Sequence, residues 1–262
     1  MHLNPFEIKS YVNQVIRKYN LDYPLDIQSF ASTLGFEIKY VDTGDCDALT
    51  VMANGQKLIL LNQKIHFEPR INFTLAHELG HYFIPTHLEP LYACNINELV
   101  SNWTLDTSSG VEREADIFAS QLLLPDKFID KSIISSMNDI ISVARTYGTS
   151  IPTTAIRMME SSYDIVAFVC CKGKKISWVS TSRGFKENLT LRNLVRLPLP
   201  ELSLVNTCIE NNIGTYAGKI QAYAWLEDID DHSSYIEEEV IFYPTFETAY
   251  VLIKADNLLN EY

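Results

Sequence analysis

Three observations predict an α+β chain in two parts. Asn54-Gly55, flanked by ALTVMA and QKLILLN, marks a β-hairpin set among segments with helical spacing. From about residue 163 the helical spacing yields to short strand-like runs. Hydrophobic residues make up 47% of the 262, enough to bury a sizeable core. The expected organisation is a helix-rich domain over 1–162, with a boundary near 160–163, and a strand-rich, mixed α/β domain over 163–262.

The elements follow in order. NPFEIKSYVNQVIRKYN (4–20) repeats apolar residues at helical spacing, from Phe6 and Ile8 to Tyr19. DIQSFASTLG (26–35) reads as a helix with Asp26 as N-cap and Gly35 just past its end. FEIKYVD (36–42) alternates like a strand, and 48–62 is the hairpin. RINFTLAHELGHYFI (70–84) returns to helix, with Ile71, Leu75, Leu79 and Phe83 four positions apart. Residues 86–110 are loop-like, and VEREADIFASQLLLP (111–125) is a helix closed by Pro125. Residues 140–159 read as helix, turn at Gly148, helix. Strand-like runs then include IVAFVCC, KISWVS, KIQAYAWL (219–226), EVIFYP (239–244) and TAYVLIK (248–254).

Composition excludes some classes. The longest apolar runs, such as IVAFVCC, are too short to cross a bilayer. The first residues carry no basic stretch followed by an apolar one, so no secretion signal is expected. Five cysteines, at 46, 94, 170, 171 and 208, form no ligand-spaced cluster, which suggests reduced thiols in a cytoplasm. The net charge is −12, unevenly spread: 163–200 holds seven Lys/Arg against two Asp/Glu, and 201–262 two against twelve. The acidic tail argues against broad adhesion to nucleic acid, where phosphate contacts need cations.

The most informative stretch is His77-Glu78-Leu79-Gly80-His81 on the 70–84 helix. Residues four apart share a helical face, so both imidazoles can reach one ion, and imidazole nitrogen is a good zinc ligand. Glu78 beside them can take a proton from an activated water. Two histidines on a surface helix are the plain alternative, but Ile71, Leu75 and Leu79 would bury this helix, and buried imidazoles beside a carboxylate want a partner.

The third ligand has three candidates. His87 follows His77 by ten residues, the metzincin spacing, yet that class turns at a glycine where this chain has Ile84 and then Pro85. His87 is therefore expected at the rim or in a loop. Glu112 and Asp116 lie four apart on the next helix, so Glu112 could bind the ion while Asp116 orients a ligand histidine through its free N–H. Glu114 points elsewhere, and the face-sharing geometry favours Glu112 over it. With two imidazoles and one carboxylate, one zinc per chain would keep a position open for water and attack on a peptide carbonyl. Tyr82 and Tyr92 are candidate oxyanion donors, each also at home as a packing tyrosine.

FTLAHELGHYFI followed by VEREADIFASQLLLP resembles the ImmA/IrrE-type metallopeptidases, with Glu112, Ala115, Phe118, Ala119, Leu122, Leu123 and Pro125 matching the second helix of their pattern. The resemblance covers roughly residues 25–160. It implies a zincin-like zinc endopeptidase that cuts a helix-turn-helix repressor, in transcription regulation and stress response. It also implies His77, His81 and Glu112 as ligands and Glu78 as general base.

Other signals are weaker. The 140–159 segment could bind DNA, but its second helix offers only Arg157 as a cation, so DNA binding is not expected. Cys46 could reach the metal as a removable thiolate; a buried thiol is the plainer reading. Asp228, Asp230 and Asp231 lack the spacing and glycine of a calcium loop. The rival readings are a zinc-retaining regulatory binding protein and a DNA-binding regulator using 140–159.

Overall fold

The computed structural model describes residues 3–87, 93–95, 110–129, 133–192, 195–227, 229 and 233–259. Tyr92, Asp228, Asp230 and Asp231 lie outside them. The chain forms two compact units, Met1–Phe128 with Ala144–Thr153, and Ile129–Val143 with Thr154–Tyr262. Among the described residues the fold is mixed α+β, with two sheets. No helix among them is long and apolar enough to cross a membrane.

The first unit opens with α1 (Pro5–Tyr19). Asn4 caps it, accepting the Phe6 and Glu7 N–H groups while the Glu7 carboxylate accepts the Asn4 N–H. Helix α2 (Ile27–Thr33) starts at the expected cap, Asp26, whose carboxylate accepts the Ser29 N–H. Gly35, at φ 83°, turns the chain into β1 (Phe36–Val41). Strands β2 (Cys46–Ala53) and β3 (Gln56–Asn62) form the hairpin, and Asn54 and Gly55 both take positive φ, as a type I′ turn requires.

The sheet order is β1-β3-β2-β4, with β4 (Ala93–Asn95) antiparallel to β2, and β1 parallel to β3. Helix α3 (Glu68–Phe83) packs on β2 and β3, α4 (Gly110–Leu123) packs on α3, and α1 packs on α4. Leu75, Leu79, Phe118 and Leu122 are fully buried with Ile8 and Ile59 in one core. The start of α3 is tied to β2 by a forked ion pair. The Arg70 Nε and Nη2 groups donate to the fully buried Asp47 carboxylate at 3.0 and 2.8 Å.

The expected helical pair is α5 (Met137–Tyr147) and α6 (Ile151–Ser161), turning at Gly148 with φ 61°. Asn72 of α3 donates to the Gly148 carbonyl at 3.1 Å. Within this segment 144–153 belong to the first unit, and 137–143 and 154–161 to the second. Arg157 is buried, at 1% exposure, and pairs with Glu160.

The second unit is built on a fully antiparallel sheet ordered β6-β5-β9-β8-β7. Its strands are β5 (Val166–Lys172), β6 (Lys175–Thr181), β7 (Thr215–Gln221), β8 (Tyr235–Tyr243) and β9 (Thr248–Lys254). Helices α7 (Arg183–Asn188) and α8 (Leu204–Asn211) complete it. Two strands differ from their expected limits. Strand β7 starts four residues before the 219–226 run and stops at Gln221, because the chain turns through Ala222–Ala224 and buries Trp225 and Leu226 in the core. Strand β8 starts at Tyr235, four residues before the expected Glu239, and runs through the acidic triplet Glu237, Glu238 and Glu239.

Partners make that triplet tolerable in a strand. On one face Lys254 of β9 bonds Glu237 and Glu239, each at 2.9 Å. On the other face Glu238 is fully buried, accepting the Ser203 hydroxyl at 2.7 Å and the Trp225 Nε1–H at 3.3 Å. Burial pushes the Glu238 carboxyl up against the pull of these bonds. A carboxyl raised by folding costs nothing below the ordinary carboxyl range, and costs progressively more as pH rises through it to the folded value. Glu238→Gln is therefore expected to lose stability by a constant amount, for one lost acceptor, and to gain on the wild type as pH rises. Urea titrations at a series of pH values read this slope, and a pH-independent difference would contradict it.

Candidate metal centre

The site is made where α3, α4 and β2 meet in the first unit. Residues Phe73 to His81 are all buried, so the α3 imidazoles face protein, not solvent. His77 Nε2 lies 3.0 Å from His81 Nε2 and 3.2 Å from Glu112 Oε2, and His81 Nε2 lies 3.6 Å from Glu112 Oε1. Among the described residues, His77, His81 and Glu112 are the group of donor atoms close enough to share one ion. Ligands at about 2.0–2.1 Å around tetrahedral zinc stand roughly 3.3 Å apart, so the triangle has the size of a zinc face.

The donor chemistry also fits a cation. His77 Nδ1 lies 2.8 Å from Asp116 Oδ1, so its ring proton belongs there and Nε2 presents a lone pair. Burial, the largest influence, pushes the His81 imidazole down, toward its neutral form. Burial alone would raise the Glu112 carboxyl, but the two imidazoles beside it outweigh burial and hold Glu112 well below the usual carboxylate range. An anionic carboxylate and two imidazole nitrogens converging on one point are donors that a cation can share. Imidazole and carboxylate donors in this number match zinc.

Glu78 sits on the β2 side of α3, fully buried, and its Oε2 accepts the Thr50 hydroxyl at 2.5 Å. Spacing within the motif could not reveal Thr50. The available signal was a polar residue midway along a strand of otherwise apolar inward positions. Tyr82 is a packing tyrosine: its ring meets Phe36 edge-on at 5.2 Å, and its hydroxyl accepts from Lys57. Cys46 is not in the donor group, and burial raises the Cys170 and Cys171 thiols, which makes them poor thiolates.

His87 lies in the loop after α3, one of its two expected places, but buried and not at a rim. Ile84 leaves α3 with φ −80°, without a left-handed turn, and the His87 N–H bonds the Ile84 carbonyl. That turn folds His87 into the interior at 3% exposure, with its Nδ1 3.1 Å from His81 Nδ1. Glu114 is likewise buried, bonded to His87 Nε2 at 3.0 Å and to the Leu3 N–H at 2.8 Å. Both stand behind His81, on the side away from His77 and Glu112.

Gly80 explains how α4 comes close enough to deliver Glu112. A Cβ at this position would meet the Ala115 Cα at 3.2 Å, and the Ala115 carbonyl oxygen and Phe118 Cβ at 3.3 Å. Gly80→Ala is expected to cost about 1–3 kcal/mol by overpacking and to weaken metal binding by shifting Glu112 outward. Thermal unfolding reads the first and chelator competition the second; unchanged metal affinity would show that this contact does not set the helix spacing.

The family model of the IrrE N-terminal-like domain of M78 peptidases matches residues 31–159. Residues 31–159 are an IrrE N-terminal-like domain. This domain spans the hairpin, the His77–His81 motif and Glu112 together. Over 81 residues the chain is 31% identical to metallopeptidase ImmA of Bacillus subtilis strain 168, a stretch that is 31% of this chain and 42% of that protein. The chain thus spans less than half the length of this curated relative. A Mycobacterium tuberculosis transcriptional regulator superposes with a TM-score of 0.57 over 97% of this chain and 78% of its own. At 12% identity that likeness concerns the fold alone.

Proposed function

We propose that the chain is a zinc-dependent endopeptidase of zincin-like fold, with catalytic domain 1–162, that cleaves a helix-turn-helix repressor and so relieves it. The observation that carries this reading is the convergence of His77, His81 and Glu112 on one point, with Glu78 next to His77 in the chain. His77, His81 and Glu112 would hold one zinc, and Asp116 orients His77 through its Nδ1–H. Zinc, when bound, supplies Lewis-acid chemistry: it polarises a carbonyl and makes water acidic enough to lose a proton near neutral pH.

The residues of the chain do the rest. Glu78 accepts a proton at its carboxylate and returns it to the leaving amine, and Thr50 fixes the carboxylate rotamer by its hydrogen bond. Burial of the whole motif keeps bulk water from competing for these groups. The repressor substrate rests on the family resemblance. Reduced thiols at Cys170, Cys171 and Cys208 suit a reducing cytoplasm. A DNA-reading role for the helical pair is disfavoured, because the cation of its second helix, Arg157, is buried and paired.

The test is incubation of zinc-loaded protein with any helix-turn-helix protein found to be encoded beside it, with products read by mass spectrometry. Discrete cleavage that a chelator abolishes is expected. An intact substrate that nevertheless binds the zinc-loaded protein would favour the regulatory binding reading.

A further inference from the structure

Two histidines of the metal group differ in what lies behind them. His77 is backed by a carboxylate, Asp116, at 2.8 Å. His81 is backed by a third imidazole, with His87 Nδ1 at 3.1 Å from His81 Nδ1. Two facing imidazole nitrogens make a hydrogen bond only if one carries a proton and the other does not. The partners decide which. Glu114, an acceptor, lies 3.0 Å from His87 Nε2, so the His87 proton belongs on Nε2 and its Nδ1 is an acceptor. The proton between the rings then belongs to His81 Nδ1, which leaves His81 Nε2 as a lone pair facing His77 and Glu112. Glu114 is itself held by the Leu3 N–H at 2.8 Å, so the row begins on the N-terminal arm ahead of α1.

We propose that His87, oriented by Glu114, is the positioning residue for His81: it accepts the His81 Nδ1–H and so fixes the tautomer and ring angle that aim Nε2 at the metal. This rests on the reading of His77, His81 and Glu112 as ligands. It assigns His87 and Glu114 a task that the metzincin spacing does not describe. Both side chains are almost completely buried, His87 at 0% and Glu114 at 4%, so water does not substitute for either.

The chemistry dictates the variants. Asn carries its Oδ1 where His carries Nδ1, so His87→Asn keeps an acceptor toward His81. His87→Phe fills the space and removes the acceptor. Glu114→Gln has a single oxygen for two donors, and an amide N–H turned toward His87 would drive the His87 proton to Nδ1, against His81. Zinc affinity by chelator competition and the visible spectrum of the cobalt(II)-substituted protein are the readouts, with circular dichroism to confirm folding. His87→Phe and Glu114→Gln are expected to bind zinc about 10–100-fold more weakly, with an altered cobalt spectrum, while His87→Asn returns close to the wild type.

Wild-type affinity in folded His87→Phe would overturn the proposal and leave the metal reading intact. Should His87→Phe fail to fold, Glu114→Gln and His87→Asn carry the test. Unchanged affinity in Glu114→Gln, or a His87→Asn as weak as Glu114→Gln, would overturn it. A wild type that takes up no zinc overturns this proposal and the metal reading together.

Discussion

Glu78→Gln is expected to abolish peptide hydrolysis, by a factor of about 10²–10⁴ or more, while the protein stays folded and retains its zinc. The amide keeps the shape of the carboxylate and can still accept the Thr50 hydroxyl through its oxygen, so the contact between α3 and β2 survives. What it loses is basicity, and no other described carboxylate takes that place. Glu112 and Asp116 are both engaged with the histidines, and Glu114 with His87. The assay is initial rate of substrate cleavage beside zinc content of the same sample. A variant that cleaves at the wild-type rate would remove Glu78 from the mechanism. A native protein that never cleaves would leave the rival reading, a zinc-retaining regulator.

Glu112→Ala is expected to lose more. It removes one of the three donors and the only anion among them, so zinc affinity should fall by more than the roughly 10–100-fold that an outer partner costs. Stability supplies an independent readout. A ligand that binds only the folded state stabilises it by about 4 kcal/mol at a thousand times its dissociation constant. Zinc should therefore raise the melting temperature of the wild type and leave that of Glu112→Ala unmoved. A zinc-dependent rise in Glu112→Ala equal to that of the wild type would show that the third donor lies elsewhere.

The part of the site carried by local spacing was legible in the sequence. Helical periodicity alone puts His77 and His81 on one face, and the same four-residue step pairs Glu112 with Asp116 on α4. The turn signals were equally local: Asn54-Gly55 for the hairpin, Asp26 for a cap, Gly148 between helices. What escaped depends on contacts between elements distant in the chain. Thr50 acts on Glu78 only because the sheet lies on α3. His87 reads as a loop histidine until the turn at Ile84 folds it against His81 and Glu114 closes over it. Gly80 matters only because α4 approaches it, through Ala115 and Phe118. The acidic run hid the first half of β8 because its partners, Lys254, Ser203 and Trp225, come from elsewhere in the chain.

The most direct test of a metal held by two imidazoles from α3 and a carboxylate from α4 is the zinc X-ray absorption spectrum of protein dialysed against zinc. It should show one zinc per chain with two imidazoles in a shell of nitrogen and oxygen at about 2.0–2.1 Å and no sulfur. Protein that emerges from dialysis without zinc, or zinc whose spectrum lacks imidazole or contains thiolate, would contradict it.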